Sequence, residues 1–238
     1  MAASREEVRR LGNQPISEVT PSRRDFAQYV STQRSELAVI AHLASGPTLA
    51  QRDALIEYAR ACDDAEIAAL AVLTEPDGLS TADMAAVAAA ITAPILRDAL
   101  TIDPSQLYHA RLHGADAAIY PAGVLDEATL RGLVTVANSL HMASVIEVAA
   151  ETELAHPLAL AHVIIGIRCA RADGSLDLES AGRLAQHIPS TYPVIVLPEV
   201  STLAECRAVR GVCDAVVVGA LLHDTANLAA RVRQINEA

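Results

Sequence analysis

The sequence predicts a (β/α)8 barrel, a closed ring of eight parallel strands that are each followed by a helix. Short apolar runs alternate with longer segments of helical periodicity from residue 37 to the end of the 238-residue chain. This alternation is typical of parallel strands joined by right-handed crossovers. The pattern repeats eight times at a mean spacing of about 25 residues, and eight units in about 200 residues fit a closed barrel better than an open sheet.

The predicted strands are short runs dominated by alanine and branched aliphatic residues. They lie at 37–41, 67–73, 93–98, 117–120, 144–148, 163–167, 194–197 and 215–218. The predicted helices lie at 49–62, 81–91, 104–113, 126–140, 151–160, 177–187, 202–209 and 227–236. Cap-like pairs at Ser80-Thr81, Asp103-Pro104 and Ser201-Thr202 support three of the helix starts, because such residues satisfy free backbone N–H groups or tolerate their loss.

The first 36 residues do not follow the repeat. They predict a short helix at 3–11, a connector at 15–21 and a second amphipathic helix at 24–36. No linker or low-complexity tract divides the rest of the chain. We therefore predict an N-terminal helical extension at residues 1–36 and a barrel at residues 37–238.

Composition excludes several kinds of chemistry. The formal charge is −11 and the pI is about 5.1, which argues against nucleic acid and anionic membrane surfaces as partners. All 18 basic residues are arginine, so the chain has no lysine. A Schiff-base lysine, a lysine that anchors pyridoxal phosphate and a P-loop lysine are all excluded. We predict no cofactor.

The cysteines and the termini predict a cytoplasmic protein. The four cysteines show no CxxC spacing, residues 1–10 contain no apolar signal-peptide core, and no 18-residue apolar run could span a bilayer. Aromatic residues make up 3% of the chain, so its helices offer no obvious interface hot spot. We therefore expect a monomer or a weak homodimer.

Polar residues at strand ends give the candidate site, because barrel enzymes keep their chemistry at the carboxyl ends of the strands. His42, Asp98 and Glu147 end strands one, three and five, and alternate strands contribute to one layer of the barrel interior. Three interpretations stay open: an acid–base set in a shared pocket, ligands of a divalent metal, or unrelated solvated side chains. We name the three as candidate catalytic residues and predict no bound metal.

Five further residues are candidate ligand-binding residues. Arg97 could bind a carboxylate or phosphate through two parallel hydrogen bonds, or it could form a local ion pair with Asp98. Arg168, at the end of strand six, is a further candidate. Cys169 could be an activated thiolate or an inert thiol. Glu199 lies at the mouth or on a loop outside it, and Gly219 leaves room for a phosphate on the loop after strand eight, a common phosphate site in barrels.

Nine short motifs recur at the intervals of a known family. They are Ala38-Val39-Ile40-Ala41, Val72-Leu73-Thr74-Glu75-Pro76, Pro94-Ile95-Leu96-Arg97, Ile102-Asp103-Pro104-Ser105-Gln106, Gly114-Ala115-Asp116-Ala117, Ile146-Glu147-Val148, Ile165-Gly166-Ile167, Asp177-Leu178-Glu179 and Val216-Val217-Val218-Gly219. In these motifs the chain resembles indole-3-glycerol phosphate synthase, a TIM-barrel lyase of tryptophan biosynthesis with extra N-terminal helices. The resemblance implies a reaction that closes a pyrrole ring on a phosphorylated anthranilate derivative, with loss of carbon dioxide and water.

Two of the first five strand ends depart from that family at catalytic positions, and one keeps its catalytic residue. The family's first strand ends Ala-Glu-Ile-Lys, and here the sequence is Ala41-His42-Leu43-Ala44. Its third strand ends Leu-Arg-Lys-Asp-Phe, so Asp98 stands where the family has a catalytic lysine. The glutamate of the fifth strand is matched by Glu147.

The last three strand ends depart further. Arg168-Cys169 stands where the family has two asparagines, and Leu197-Pro198-Glu199-Val200 stands where it has Glu-Ser-Gly-Ile. A glutamate and a phosphate-binding serine are therefore missing. Gly219 matches the family, and Ala220 follows it.

The sequence leaves three functional hypotheses open. The leading one is a family member that has lost the ring-closing decarboxylation and binds, or acts differently on, a small anionic or aromatic ligand at the mouth, phosphorylated or not. The second is an active carboxy-lyase or carbon–carbon lyase that uses Glu147 with Asp98 or His42. The third is a non-catalytic partner of another enzyme, a pseudoenzyme.

Overall fold

The computed structural model describes residues 2–11, 19–32, 35–43, 51–74, 78–171 and 175–238. In this part of the chain eight parallel strands pair in sequence order, and β8 pairs with β1 to close the barrel. The strands are β1 Ala38–Leu43, β2 Ala69–Leu73, β3 Ile95–Leu100, β4 Ala117–Pro121, β5 Ala143–Val148, β6 Val163–Ile167, β7 Val194–Val200 and β8 Ala215–Val218. The predicted fold class is confirmed.

Helices alternate with most of the strands. They are α1 Ala2–Leu11, α2 Phe26–Val30, α3 Arg52–Asp64, α4 Thr81–Ala90, α5 Pro104–Leu112, α6 Glu127–Ser139, α7 Leu178–Ala185, α8 Leu203–Val209 and α9 Leu228–Asn236. The predicted caps are present: Ser80 accepts a hydrogen bond from the Asp83 N–H, and Asp103 accepts one from the Ser105 N–H. At α8 the cap is Thr202, which forms a capping box with Glu205. Residues 49 and 50, where α3 was predicted to begin, lie outside the described residues.

Two predicted helices are wrong in length. The segment 151–160 forms two separate single 3₁₀ turns, Glu151–Glu153 and Pro157–Ala159, because Pro157 lacks the N–H that a continuous helix would need. Within the described residues, the helix predicted at 24–36 covers only Phe26–Val30; residues 33 and 34 lie outside them. Beyond it, the hydroxyl of Thr32 donates to the Glu36 carbonyl, and such local side-chain bonds compete with the helix.

The barrel interior is a small apolar core that is closed at one end by α2. Phe26 and Val30 of α2 are buried against inward-facing strand residues such as Ile40, Leu96 and Val145. Successive side chains of a strand point to opposite faces, so the residues two positions further along each strand also face inward. Those residues reach the open end of the barrel, and this places the candidate site.

The N-terminal segments are fastened to the barrel by buried polar contacts. Asp116, which is fully buried, accepts a hydrogen bond from the Ser22 hydroxyl and forms ion pairs with Arg24 and Arg111. Helix α1 is held through Glu7, which binds Arg97 on the outer face of β3. No helix within the described ranges is long and apolar enough to cross a bilayer.

Candidate functional site

The three predicted catalytic residues meet at the mouth of the barrel. Nε2 of His42 lies 3.3 Å from Oδ2 of Asp98. Glu147 reaches the same cluster through Arg168, whose Nε donates to its Oε2 at 2.5 Å and whose Nη2 lies 3.8 Å from Oδ1 of Asp98. Strand-end placement therefore brings together side chains that are up to 126 positions apart in the sequence, from His42 to Arg168.

A glycine on β6 allows the mouth to be built this way. Gly166 is paired with Glu147 across the β5–β6 ladder and lies two residues before Arg168 on the same face. A Cβ at Gly166 would stand 2.6 Å from a methyl group of Leu197 and 3.0 Å from one of Val145. Only glycine fits there without moving the apolar layer beneath the charged residues.

His42 lies between two carboxylates. Its Nδ1 is 3.5 Å from Oε2 of Glu199, opposite the contact with Asp98. Burial alone lowers the pKa of an imidazole, but the neighbouring carboxylates of Asp98 and Glu199 outweigh it and raise the pKa of His42 to about 9. His42 is therefore an imidazolium at neutral pH.

Glu199 ends the network at the loop after β8. Its Oε1 accepts a hydrogen bond from the Ala220 backbone N–H at 2.7 Å. The hydrogen bond to His42 is the largest cause that lowers the pKa of Glu199; burial opposes it, and the Ala220 N–H adds to it. A Cβ at Gly219 would stand 2.5 Å from the same oxygen, so the space left by Gly219 is taken by the Glu199 carboxylate.

Arg97 and Cys169 lie on the outer side of their strands, away from this network. The Arg97 side chain is 2% exposed and donates to Thr74 and Glu7. Cys169 is buried, its thiol lies 3.9 Å from the Ala149 carbonyl oxygen, and burial raises its pKa. Both positions are one residue away from an inward-facing one, and we leave both out of the proposed ligand site.

The network alternates in charge. Three carboxylates, of Asp98, Glu147 and Glu199, enclose two cations, Arg168 and His42. Among the described residues, no group of three or more histidines, cysteines or carboxylates is placed to hold a metal ion. Ala44, which stands where the resembled family has a lysine, lies outside the described residues.

The sequence did not reveal the backbone donor of this network or the partners of Arg97. A backbone N–H such as that of Ala220 cannot be recognised from the residue type. Gly219, the residue before it, indicated only that the loop was a candidate phosphate site. Glu7 pairs with Arg97 across 90 positions of sequence, a separation that local patterns do not reveal.

Comparison with known proteins places the chain in a family. Residues 1–235 match the family model described as indole-3-glycerol phosphate synthase. The enzyme of that name from Mycolicibacterium vanbaalenii is 32% identical over 167 residues, which are 68% of this chain and 61% of that protein. The one from Ruminiclostridium cellulolyticum is 27% identical over 184 residues, 76% of this chain and 71% of that protein. With the relative from Parafrankia sp., the matched segment spans about half of the relative's length, 48%.

Solved structures agree on the fold. A 3-hexulose-6-phosphate synthase from Salmonella typhimurium superposes with a TM-score of 0.68 at 16% identity, over 84% of this chain and 97% of that one. Monomers of the dimeric phosphoribosylanthranilate isomerase from Thermotoga maritima give 0.62 at 10% identity, over 85% and 100% of the two chains. At these identities the likeness concerns the barrel alone. The match over residues 1–235 goes further: this chain belongs to the indole-3-glycerol phosphate synthase family.

Proposed function

We propose that this barrel binds a small anionic, aromatic ligand at its mouth and does not carry out the ring closure of its family. The observation that carries the proposal is Asp98. It stands where the resembled family has a catalytic ammonium, and it is paired with His42 and Arg168. A carboxylate in that position cannot supply the charge or the proton that a lysine would supply.

The remaining groups are poor substitutes for a general acid and base. A general acid works best with a pKa near the operating pH. His42, with a pKa raised to about 9 and a carboxylate on each side, holds its proton at neutral pH. Glu147, the candidate base, forms an ion pair with the Arg168 guanidinium at 2.5 Å, so its carboxylate is already engaged. The pairing of His42 with Asp98 and of Glu147 with Arg168 also disfavours a lyase that uses Glu147 with Asp98 or His42.

Arg168 is the group that would hold the ligand. Its side chain is 37% exposed, and its Nε is used by Glu147 while the contact of Nη2 with Asp98 is long. A ligand carboxylate can therefore accept hydrogen bonds from the guanidinium without breaking the pair with Glu147. Leu100, which packs against the inner apolar cluster and is only partly buried, supplies apolar surface for an aromatic ring.

The test is a binding titration of the full-length protein with aromatic carboxylates. Anthranilate and indole carboxylates are compared with aniline and indole by calorimetry and by the shift in melting temperature. We expect the carboxylates to bind and the neutral analogues to bind much more weakly. Arg168→Gln should weaken the carboxylates about 10- to 100-fold, the usual range for a lost charged hydrogen bond.

Arg131→Gln is the matched control. Arg131 also pairs with a glutamate, Glu127, at 2.8 Å, but on the outer surface of α6, so its loss should leave binding unchanged. Binding that is equal in wild type and Arg168→Gln would contradict the proposed site. A wild type that binds none of the carboxylates would contradict ligand binding itself and leave the hypothesis of a protein partner.

A further inference from the structure

The space at Gly219 is already filled by a carboxylate of the chain itself. Oε1 of Glu199 accepts the Ala220 N–H at 2.7 Å, and Cδ and Oε2 lie 2.6 Å from where a Cβ on Gly219 would stand. On the other side, Oε2 lies 3.5 Å from the His42 imidazolium. The carboxylate is therefore held at a backbone donor and at a cation at the same time.

The Glu199 carboxylate lies in a part of the barrel that often binds phosphate in other proteins. Barrels that bind phosphate commonly do so with the loops after strands seven and eight. Glu199 lies at the end of β7, and Gly219 and Ala220 begin the loop after β8. The carboxylate thus takes the backbone donor and the space that a phosphate oxygen would use.

We propose that Glu199 is a specificity-determining residue that excludes phosphorylated ligands from the mouth. This inference deepens the proposed function and rests on it: the ligand is an aromatic carboxylate without a phosphate group. Electrostatics act in the same direction. A phosphate monoester carries between one and two negative charges near neutral pH, and the mouth already has three carboxylates for two cations.

To admit a phosphate, the chain would have to move Glu199 away from both of its partners. That movement would break the hydrogen bond with Ala220 and leave His42 with Asp98 alone. A monocarboxylate at Arg168 requires neither change. The geometry therefore separates the two ligand classes at one side chain.

The chain contains a matched control for this arrangement. Glu153, in the loop after β5, accepts the Ala149 backbone N–H at 2.7 Å, and its carboxylate also lies against a glycine, Gly123. The backbone donor and the neighbouring glycine match those of Glu199, but Glu153 is not part of the mouth network. Glu153→Gly removes a carboxylate from a backbone donor without opening the mouth.

The experiment compares the phosphorylated anthranilate ribulose compound with its dephosphorylated form. Each is titrated by calorimetry into wild type, Glu199→Gly, Glu199→Gln and Glu153→Gly, together with inorganic phosphate. Circular dichroism and melting temperature show that each variant is folded. We expect wild type to bind the dephosphorylated form at least about 10-fold more tightly, equivalent to about 1.4 kcal/mol.

Glu199→Gly should remove or reverse this preference, because it frees the Ala220 N–H and the space at Gly219. Glu199→Gln should give an intermediate result, since its amide oxygen can still accept from Ala220 but carries no charge. Glu153→Gly should keep the wild-type preference. The inference is overturned if wild type binds both forms equally, or if Glu199→Gly keeps the wild-type ratio.

The two proposals can fail separately. If wild type binds neither form, the role of Glu199 is judged by inorganic phosphate alone, and the proposed function fails if the simple aromatic carboxylates do not bind either. A gain of phosphate binding in Glu199→Gly but not in Glu153→Gly supports exclusion by Glu199, and no gain contradicts it. If wild type binds both forms equally through Arg168, ligand binding stands and the exclusion of phosphate is wrong.

Discussion

Two arginine–glutamate pairs in this barrel have the same chemistry and opposite surroundings. Arg97 of β3 binds both carboxylate oxygens of Glu7 at 2.8 Å, and the two side chains are 2% and 12% exposed. Arg168, beyond β6, binds Glu147 at 2.5 Å, and the two side chains are 37% and 15% exposed, so the pairs differ in their cation. The first pair fastens α1 to the outer wall of the barrel, and the second lies in the mouth.

The difference shows that position on the strand decides what a charged pair does. Arg97 and Asp98 are neighbours in sequence, yet one faces the helix layer and the other faces the mouth. A buried pair is costly to break because the remaining charge has no solvent to replace its partner. A pair whose cation is partly exposed, as that of Arg168 is, can turn the cation toward a ligand at little cost to stability.

The largest effect should come from breaking the buried pair. We expect Arg97→Leu to lower the free energy of unfolding by about 3 to 5 kcal/mol, since Glu7 then loses its cation and Thr74 and Gln106 lose the geometry it fixes. Urea unfolding measures this, with Arg131→Gln as a surface control that should change stability by less than about 1 kcal/mol. A loss below about 1 kcal/mol in Arg97→Leu would remove the distinction between the two pairs.

A second effect concerns pH. The folded-state pKa of His42, about 9, is above its unfolded value of 6.5, so its contribution to stability is complete below pH 6.5 and is lost as the pH rises through 9. We expect the free energy of unfolding to fall over this range by up to about 3 kcal/mol. Urea unfolding at several pH values measures the fall.

His42→Gln should flatten that part of the pH profile, because the titrating group is gone. Asp98→Asn should shift the fall to lower pH, because one of the two carboxylates that raise the pKa is removed. If the profile of His42→Gln is as steep as that of the wild type, the slope belongs to another group and the imidazolium between two carboxylates is not what the mouth contains.

The mouth pair should matter little for stability. Arg168→Gln is expected to change the free energy of unfolding by less than about 1 kcal/mol, because the guanidinium is partly in water. Its effect should appear in ligand binding instead. A loss as large as that of Arg97→Leu would mean that the mouth pair is structural and does not differ in role from the buried pair.

The smallest effect should be at Cys169. Its thiol is buried and its pKa is raised, so the thiolate that reagents attack is scarce. We expect Cys169→Ala to leave ligand binding unchanged. In the wild type a thiol reagent should label Cys169 only on unfolding, as followed by mass spectrometry of the labelled peptide; rapid labelling of the native protein would contradict its placement.

The barrel and three residues of the mouth could be predicted because they follow from periodicity. Strand ends are visible in the sequence, and His42, Asp98 and Glu147 lie at three of them. The sequence could not show that Arg97 faces away from the ligand site. A one-residue shift along a strand reverses the face, and an apolar run alone does not say which of its residues point inward. The pairing of Arg97 with Glu7 depends on how α1 docks, which no local pattern specifies.

Glu199 shows a different limit. The sequence left it either at the mouth or on a loop outside it. In the structure, the pairing of β7 with β8 shifts register between Val196 and Val200. Glu199 lies within that irregularity, and its carboxylate reaches the Ala220 N–H. Backbone irregularities of this kind depend on packing in three dimensions and cannot be predicted from the sequence of the strand alone.

The most direct test of the central claim is a turnover measurement on the wild-type protein. The phosphorylated anthranilate ribulose substrate is supplied in excess, and the indole product is followed by fluorescence, which is aided by the absence of tryptophan from the chain. With Asp98 in place of the catalytic ammonium, we expect no product above the level of a Glu147→Gln control. Formation of indole-glycerol phosphate at about 1 s⁻¹ or faster, the ordinary range for enzymes, would contradict the account.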